Sequence, residues 1–147
     1  MRHGETVSGM PDWQRVLSDK GRAQSSAMAQ SARRHGLSVA WVYHSGILRA
    51  QQTAELVAAV LAPEQGLREI SGLCPEDDPL IVKARVDSAN QSVLLVSHMP
   101  FLSRLAGLMT TGDSDRSVIE FGPATLVCLT QQANGWKFTW SLSAASA

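Results

Sequence analysis

Apolar and polar residues along the 147-residue chain fall into two kinds of pattern. The first is a stripe at helical spacing. Ala23, Ala27, Met28 and Ala32 recur within a polar stretch, which predicts an amphipathic helix over Asp19 to Arg34. Ser18 is a good N-cap for it, Asp19 puts negative charge at its positive end, and Gly36 after His35 supplies a left-handed stop. A second stripe, Ala54, Val57, Ala58 and Leu61, predicts a helix from Ile47 or Arg49 to Leu61, closed by Pro63. Pro79 suits the first turn of a third helix reaching about Asp87. A fourth runs from about Pro100 to Met109.

The second pattern is the short run that is apolar on both parities. VAWVYHS (Val39 to Ser45) and SVLLVSH (Ser92 to His98) read this way, as strands of a parallel sheet covered on both faces do. Leu67 to Ile70 predicts a shorter strand. SGLCPEDDP and TTGDSD are loops by their Gly, Pro and acids. The tail differs: ATLVCLTQQ and WKFTWSLS alternate around Asn134-Gly135, the signal of a β-hairpin. Together these predict a three-layer α/β/α sandwich, its central sheet mostly parallel, with the hairpin adding antiparallel strands at an edge. With no repeat and no linker, residues 1–147 read as a single domain.

Composition narrows the function. Thirteen basic and thirteen acidic residues cancel, so nothing in the charge suggests a nucleic-acid or membrane-surface binder. Cys74 and Cys128 are far apart, which argues for reduced thiols rather than a disulfide framework or zinc site. No apolar run approaches the ~20 residues of a membrane span, and no signal peptide opens the chain. The expectation is a cytoplasmic protein without nucleic-acid or membrane partners.

Ligands of open α/β sheets bind outside the carboxyl ends of the strands. Val39–Tyr43 runs into a turn followed by Arg49, and Val93–Val96 ends in Ser97-His98. If the opening Arg2-His3-Gly4 is a third strand end, Arg2, His3, Arg49 and His98 meet on one rim. Two guanidinium forks and two imidazoles there suit a phosphoryl group. His35 reads as a helix C-terminal cation and His44 as a bystander. Trp13, Trp41, Trp136 and Trp140 read as core or edge packing.

In order along the chain, RHGE (Arg2 to Glu5), LSDKG (Leu17 to Gly21), SGILRAQQTAE (Ser45 to Glu55) and LLVSHMP (Leu94 to Pro100) resemble segments of the histidine phosphatase superfamily. The nearest branch is its small bacterial one, the SixA-type phosphohistidine phosphatases. The resemblance implies a phosphoglycerate-mutase-like fold and a metal-independent hydrolase with no cofactor. It implies His3 as the nucleophile that becomes phosphohistidine, with Arg2, Arg49 and His98 holding the phosphoryl oxygens and His98 serving best as a cation. Gly4, Glu5, Ser97 and Glu76 complete the expected substrate-binding set. Glu5, Glu76, Asp77 and Asp78 are the candidate proton donors.

Two departures bear on this. The span from Leu67 to Ser92 is too short to roof the site as larger relatives do. An open site favours a phosphorylated protein, such as a histidine-containing phosphotransfer domain, in a signalling role. The alternatives are a phosphatase of small phosphomonoesters, or a regulatory module that binds phosphate without turnover. Second, only Met1 precedes Arg-His-Gly where the family has an apolar strand. The first strand is therefore expected to be shortened, or its beginning to lie outside this sequence, with a gap in the sheet.

Overall fold

The computed structural model describes residues 1–144; the last three residues of the expected 1–147 domain lie outside the described residues. Helix α1 (Asp19–Arg34) begins where expected, because the Ser18 side chain accepts a hydrogen bond from the Gly21 N–H at 3.0 Å. Its buried face is built from small residues and Met28, so it lies close against helix α2 (Leu48–Leu61). Ala62, in the left-handed region at φ 47°, ends α2 just before Pro63.

Strand β1 (Trp41–His44) lies between β2 (Gly66–Glu69) and β3 (Val93–Val96), parallel to both. Helix α3 (Pro79–Ser88) starts on Pro79, with Asp78 as its N-cap. It packs on α4 (Phe101–Thr111). The α1–α2 pair covers one face of the sheet through Met28, Ala54 and Val57, and the α3–α4 pair covers the other through Val82, Phe101 and Leu102. Burying each of the larger side chains contributes roughly 1.5–3 kcal/mol. This is the three-layer α/β/α arrangement, and no helix among the described residues is long and apolar enough to cross a membrane.

Several boundaries differ from expectation. The parallel strands are shorter than their apolar runs: Val39 and Ala40 precede β1, and Ser97 and His98 follow β3. Helix α4 runs to Thr111 and takes two residues from the expected loop, because Gly112 at φ 81° supplies the left-handed cap. The hairpin, β4 (Leu126–Gln132) and β5 (Gly135–Leu142), forms its own antiparallel sheet rather than extending the parallel one.

Met1 to His3 runs between the end of β3 and the beginning of the hairpin. Its amino group donates to the Leu95 carbonyl at 2.8 Å, Ser97 N–H donates to the Met1 carbonyl, and His3 N–H donates to the Ser97 carbonyl. On the other side Arg2 N–H donates to Thr125 and Ala124 N–H to His3. This segment ties the two sheets together at one end only. Behind it lies a cavity of about 190 Å³, lined by Met1, Leu95, Leu105, Leu126, Trp136 and Trp140 among others. Residues 1–3 cross the mouth of this cavity.

Candidate active site

Backbone pairing on both sides holds His3 at the carboxyl rim of the sheet. Gly4 follows, and its lack of a side chain is a packing requirement. A Cβ there would meet the Gly21 carbonyl oxygen at 2.6 Å and Ser25 Oγ at 2.7 Å, and a Cβ on Gly21 would run into the Glu5 carbonyl oxygen. The two glycines let the chain after His3 lie directly on α1. From α2, Thr53 Oγ1 accepts the Gly4 N–H at 3.1 Å and donates to the Arg49 carbonyl at 2.9 Å. One hydroxyl thus links the backbone of the Arg-His-Gly segment to the turn carrying Arg49.

His3 Nδ1 lies 2.8 Å from the Gly4 carbonyl. A carbonyl can only accept, so Nδ1 carries the proton and Nε2 keeps its lone pair. Arg49 Nε–H donates to that nitrogen at 3.3 Å. Burial, with the cations of Arg49, Arg2 and Arg15, pushes the His3 pKa from 6.5 down to about 4, although the bond to Gly4 opposes the shift. His3 is therefore neutral near pH 7.

The His98 ring centroid is 5.2 Å from that of His3. Its Nε2 shares a 2.7 Å hydrogen bond with Ser45 Oγ, which also accepts the Ile47 N–H. Burial, then His3 and Arg49, holds the His98 pKa at about 3. These surroundings hold the imidazole neutral, and the cationic form expected from sequence would need the negative charge of a phosphoryl group beside it. Arg2 donates from Nη1 to the Phe121 carbonyl at 2.8 Å. Arg2 Nε and His98 Nδ1 are both buried without a protein partner, and an anion's oxygens would satisfy such groups.

Arg2, His3, Arg49 and His98 are brought together, and the other expected residues are placed differently. The Gly4 N–H is taken by Thr53. Ser97 Oγ donates to the Leu73 carbonyl at 2.6 Å, so this buried hydroxyl locks the turn before α3 instead of facing a ligand. Glu5 accepts from Ser18 Oγ and lies 3.5 Å from Lys20 Nζ, at the start of α1. Asp77 accepts the Cys74 N–H and Asp78 caps α3, while Glu76 is exposed on their turn. His35 caps α1, and His44 accepts the Gly46 N–H.

Two charged neighbours escape a sequence reading. Asp12 lies in a single 3₁₀ turn, Asp12–Gln14, with no periodic pattern to mark it. Its carbonyl accepts from Arg49 Nη1 at 3.0 Å and its carboxylate from Nη2 at 3.3 Å. Arg15 reaches the other carboxylate oxygen at 3.2 Å. Trp13, expected in packing, is instead 70% exposed. With Met10, Ile47 and Leu48 it flanks an open cleft of about 820 Å³.

The family model of the histidine phosphatase superfamily (branch 1) matches residues 1–77. The phosphohistidine phosphatase SixA of Escherichia coli (strain K12) is 28% identical over 148 residues, spanning 97% of this chain and 91% of that protein. A structure of the protein histidine phosphatase SixA complexed with tungstate superposes with a TM-score of 0.87 at 26% identity, covering 99% of this chain and 95% of that one. A phosphoserine phosphatase from Entamoeba histolytica, in complex with 3-phosphoglyceric acid, shares the fold at a TM-score of 0.70 and 16% identity, over 97% of this chain and 94% of that one.

Proposed function

Because the chain belongs to the histidine phosphatase superfamily, we propose that it hydrolyses phosphoryl groups through a phosphohistidine on His3, and that its substrate is phosphohistidine on a protein. One observation carries the reading: a neutral His3 whose Nε2 accepts from Arg49 Nε–H, its ring centroid 5.2 Å from that of a second imidazole.

In the first step Nε2 bonds to phosphorus as the bond to the leaving group breaks. Arg2 and Arg49 take up the charge that spreads over the equatorial oxygens, and His98, with Ser45 Oγ donating to its Nε2, adds a third donor from Nδ1–H. A departing imidazole keeps the P–N electron pair and carries its proton on the ring, so it asks little of an acid. Water then attacks phosphorus, the P–Nε2 bond breaks, and phosphate leaves with His3 restored.

Two features favour a protein substrate. No candidate acid, Glu5, Glu76, Asp77 or Asp78, hydrogen-bonds to the four central side chains, which suits a leaving group needing little proton donation. The apolar collar of Met10, Trp13 and Leu48 beside the cleft offers contact area that a small sugar phosphate could not use. The relative that is 28% identical bears the name phosphohistidine phosphatase. Absence of a metal requirement and a cytoplasmic, signalling role belong to the same proposal.

The test is brief exposure to ³²P-labelled histidine phosphotransfer domain followed by quenching. An acid-labile label on the wild type, absent from His3→Ala, is the expected result. Rates on that domain should exceed those on a panel of sugar and nucleotide phosphates. Faster turnover of the small esters would reverse the substrate assignment, and undiminished turnover by His3→Ala would remove the mechanism.

A further inference from the structure

We propose that Asp12 is a resident competitor for the phosphoryl site, holding Arg49 while the pocket is empty and yielding it only to a dianion. The proposal rests on the reading of the pocket as a phosphoryl site.

Each nitrogen of Arg49 makes one hydrogen bond. Nε bonds to His3, Nη1 to the Asp12 carbonyl and Nη2 to the Asp12 carboxylate. The same carboxylate reaches Arg15 with its other oxygen. Asp12 thus spans two guanidinium groups, as a bound oxyanion would.

The two partners are unequal. The Arg49 side chain is 5% exposed and fixed by α2, whereas that of Asp12 is 72% exposed on a short turn. A buried guanidinium without a counter-anion is costly, so Arg49 is paired in the empty site. The solvated Asp12 is the partner that can swing away at small cost.

This arrangement selects by charge. A phosphoryl dianion brings two charges and three oxygens to Arg2, Arg49 and His98, and displaces one carboxylate. A monoanion offers no more than Asp12 already does. The competition leaves the chemical step alone, so it acts on substrate binding more than on turnover.

The variant is Asp12→Asn, which removes the charge and keeps the size. Calorimetry with orthophosphate should show binding about fivefold tighter, the effect of losing one partly screened ion pair. KM should fall by a similar factor with kcat within about twofold, and acetate, which the wild type excludes, should begin to inhibit. Unchanged or weaker phosphate binding by Asp12→Asn, alongside a wild type that binds phosphate and turns over, would overturn the competitor role alone; the second outcome would mean that Asp12 orients Arg49 for the ligand. A wild type that neither binds orthophosphate nor forms the His3 adduct would overturn this proposal together with the reading beneath it.

Discussion

Met1 to His3 separates two regions of very different quality. In front of it, at the sheet rim, the backbone is paired on both sides and each of the four central side chains has at least one fixed partner. Behind it, β3 and β4 do not pair, and an apolar cavity of about 190 Å³ stands between them. A strand aims a side chain with its last residues, whereas it fills a core with all of them. The rim positions His3, and the cavity leaves the packing between β3 and β4 open. Pocket order and fold stability should respond to different substitutions.

The strongest way to break the contrast is to disturb the rim. Gly4→Ala puts a methyl group within 2.6 Å of the Gly21 carbonyl oxygen, and backbone on both sides must move. Stability should fall by about 1–3 kcal/mol. Turnover should drop by roughly tenfold to a hundredfold through displacement of His3. Melting curves and single-turnover rates on one preparation give both figures, and a fully active Gly4→Ala would show the close contact to be unimportant.

Acid acts on the same rim more gently. His3 and His98 have pKa values near 4 and 3 in the folded chain, against 6.5 unfolded. Below pH 6.5 the unfolded chain binds more protons than the folded one, so stability declines steadily as pH falls toward 4. It is flat with respect to these groups above about pH 7. With His3 as the proposed nucleophile, the acid limb of kcat/KM should lie near pH 4 rather than 6.5, where His3 protonates in the free protein. A limb at pH 6–7 would mean that His3 is less shielded than its surroundings suggest.

The smallest expected effect sharpens the other side of the comparison. Ala106 lines the cavity from α4. Ala106→Leu should add about 1 kcal/mol of stability by filling empty space, with turnover unchanged. Urea titration would show a later midpoint at constant slope. Destabilisation instead would mean that the space is already closed in solution.

Much of this molecule is legible from residue order. Helix α1 follows from Ser18, its small-residue stripe and Gly36; β1 and β3 follow from runs apolar on both parities; the hairpin follows from Asn134-Gly135. These signals are local, and the structure displays each within a few residues. The meeting of Arg2, His3, Arg49 and His98 is legible too, since strand ends in a parallel sheet share a rim. What each neighbouring atom does is less so. Ser97 Oγ belongs to Leu73 and the Gly4 N–H to Thr53, 24 and 49 positions distant in the chain. No spacing rule encodes such pairings. Asp12 sits in an aperiodic turn and reads as any solvated acid until Arg49 is beside it. The hairpin's separation from the parallel sheet is likewise a tertiary outcome, which its own alternating pattern does not encode.

Trp13 has an optical consequence. Its indole stands in water at the lip of the cleft, while Trp41, Trp136 and Trp140 are partly shielded by the protein. A macromolecule docking at the lip would dry that one ring and move its emission toward the blue, whereas free phosphate reaching the arginines would leave it wet. The protein therefore carries, unlabelled, a fluorophore that distinguishes encounter with a large partner from occupancy by a small ion.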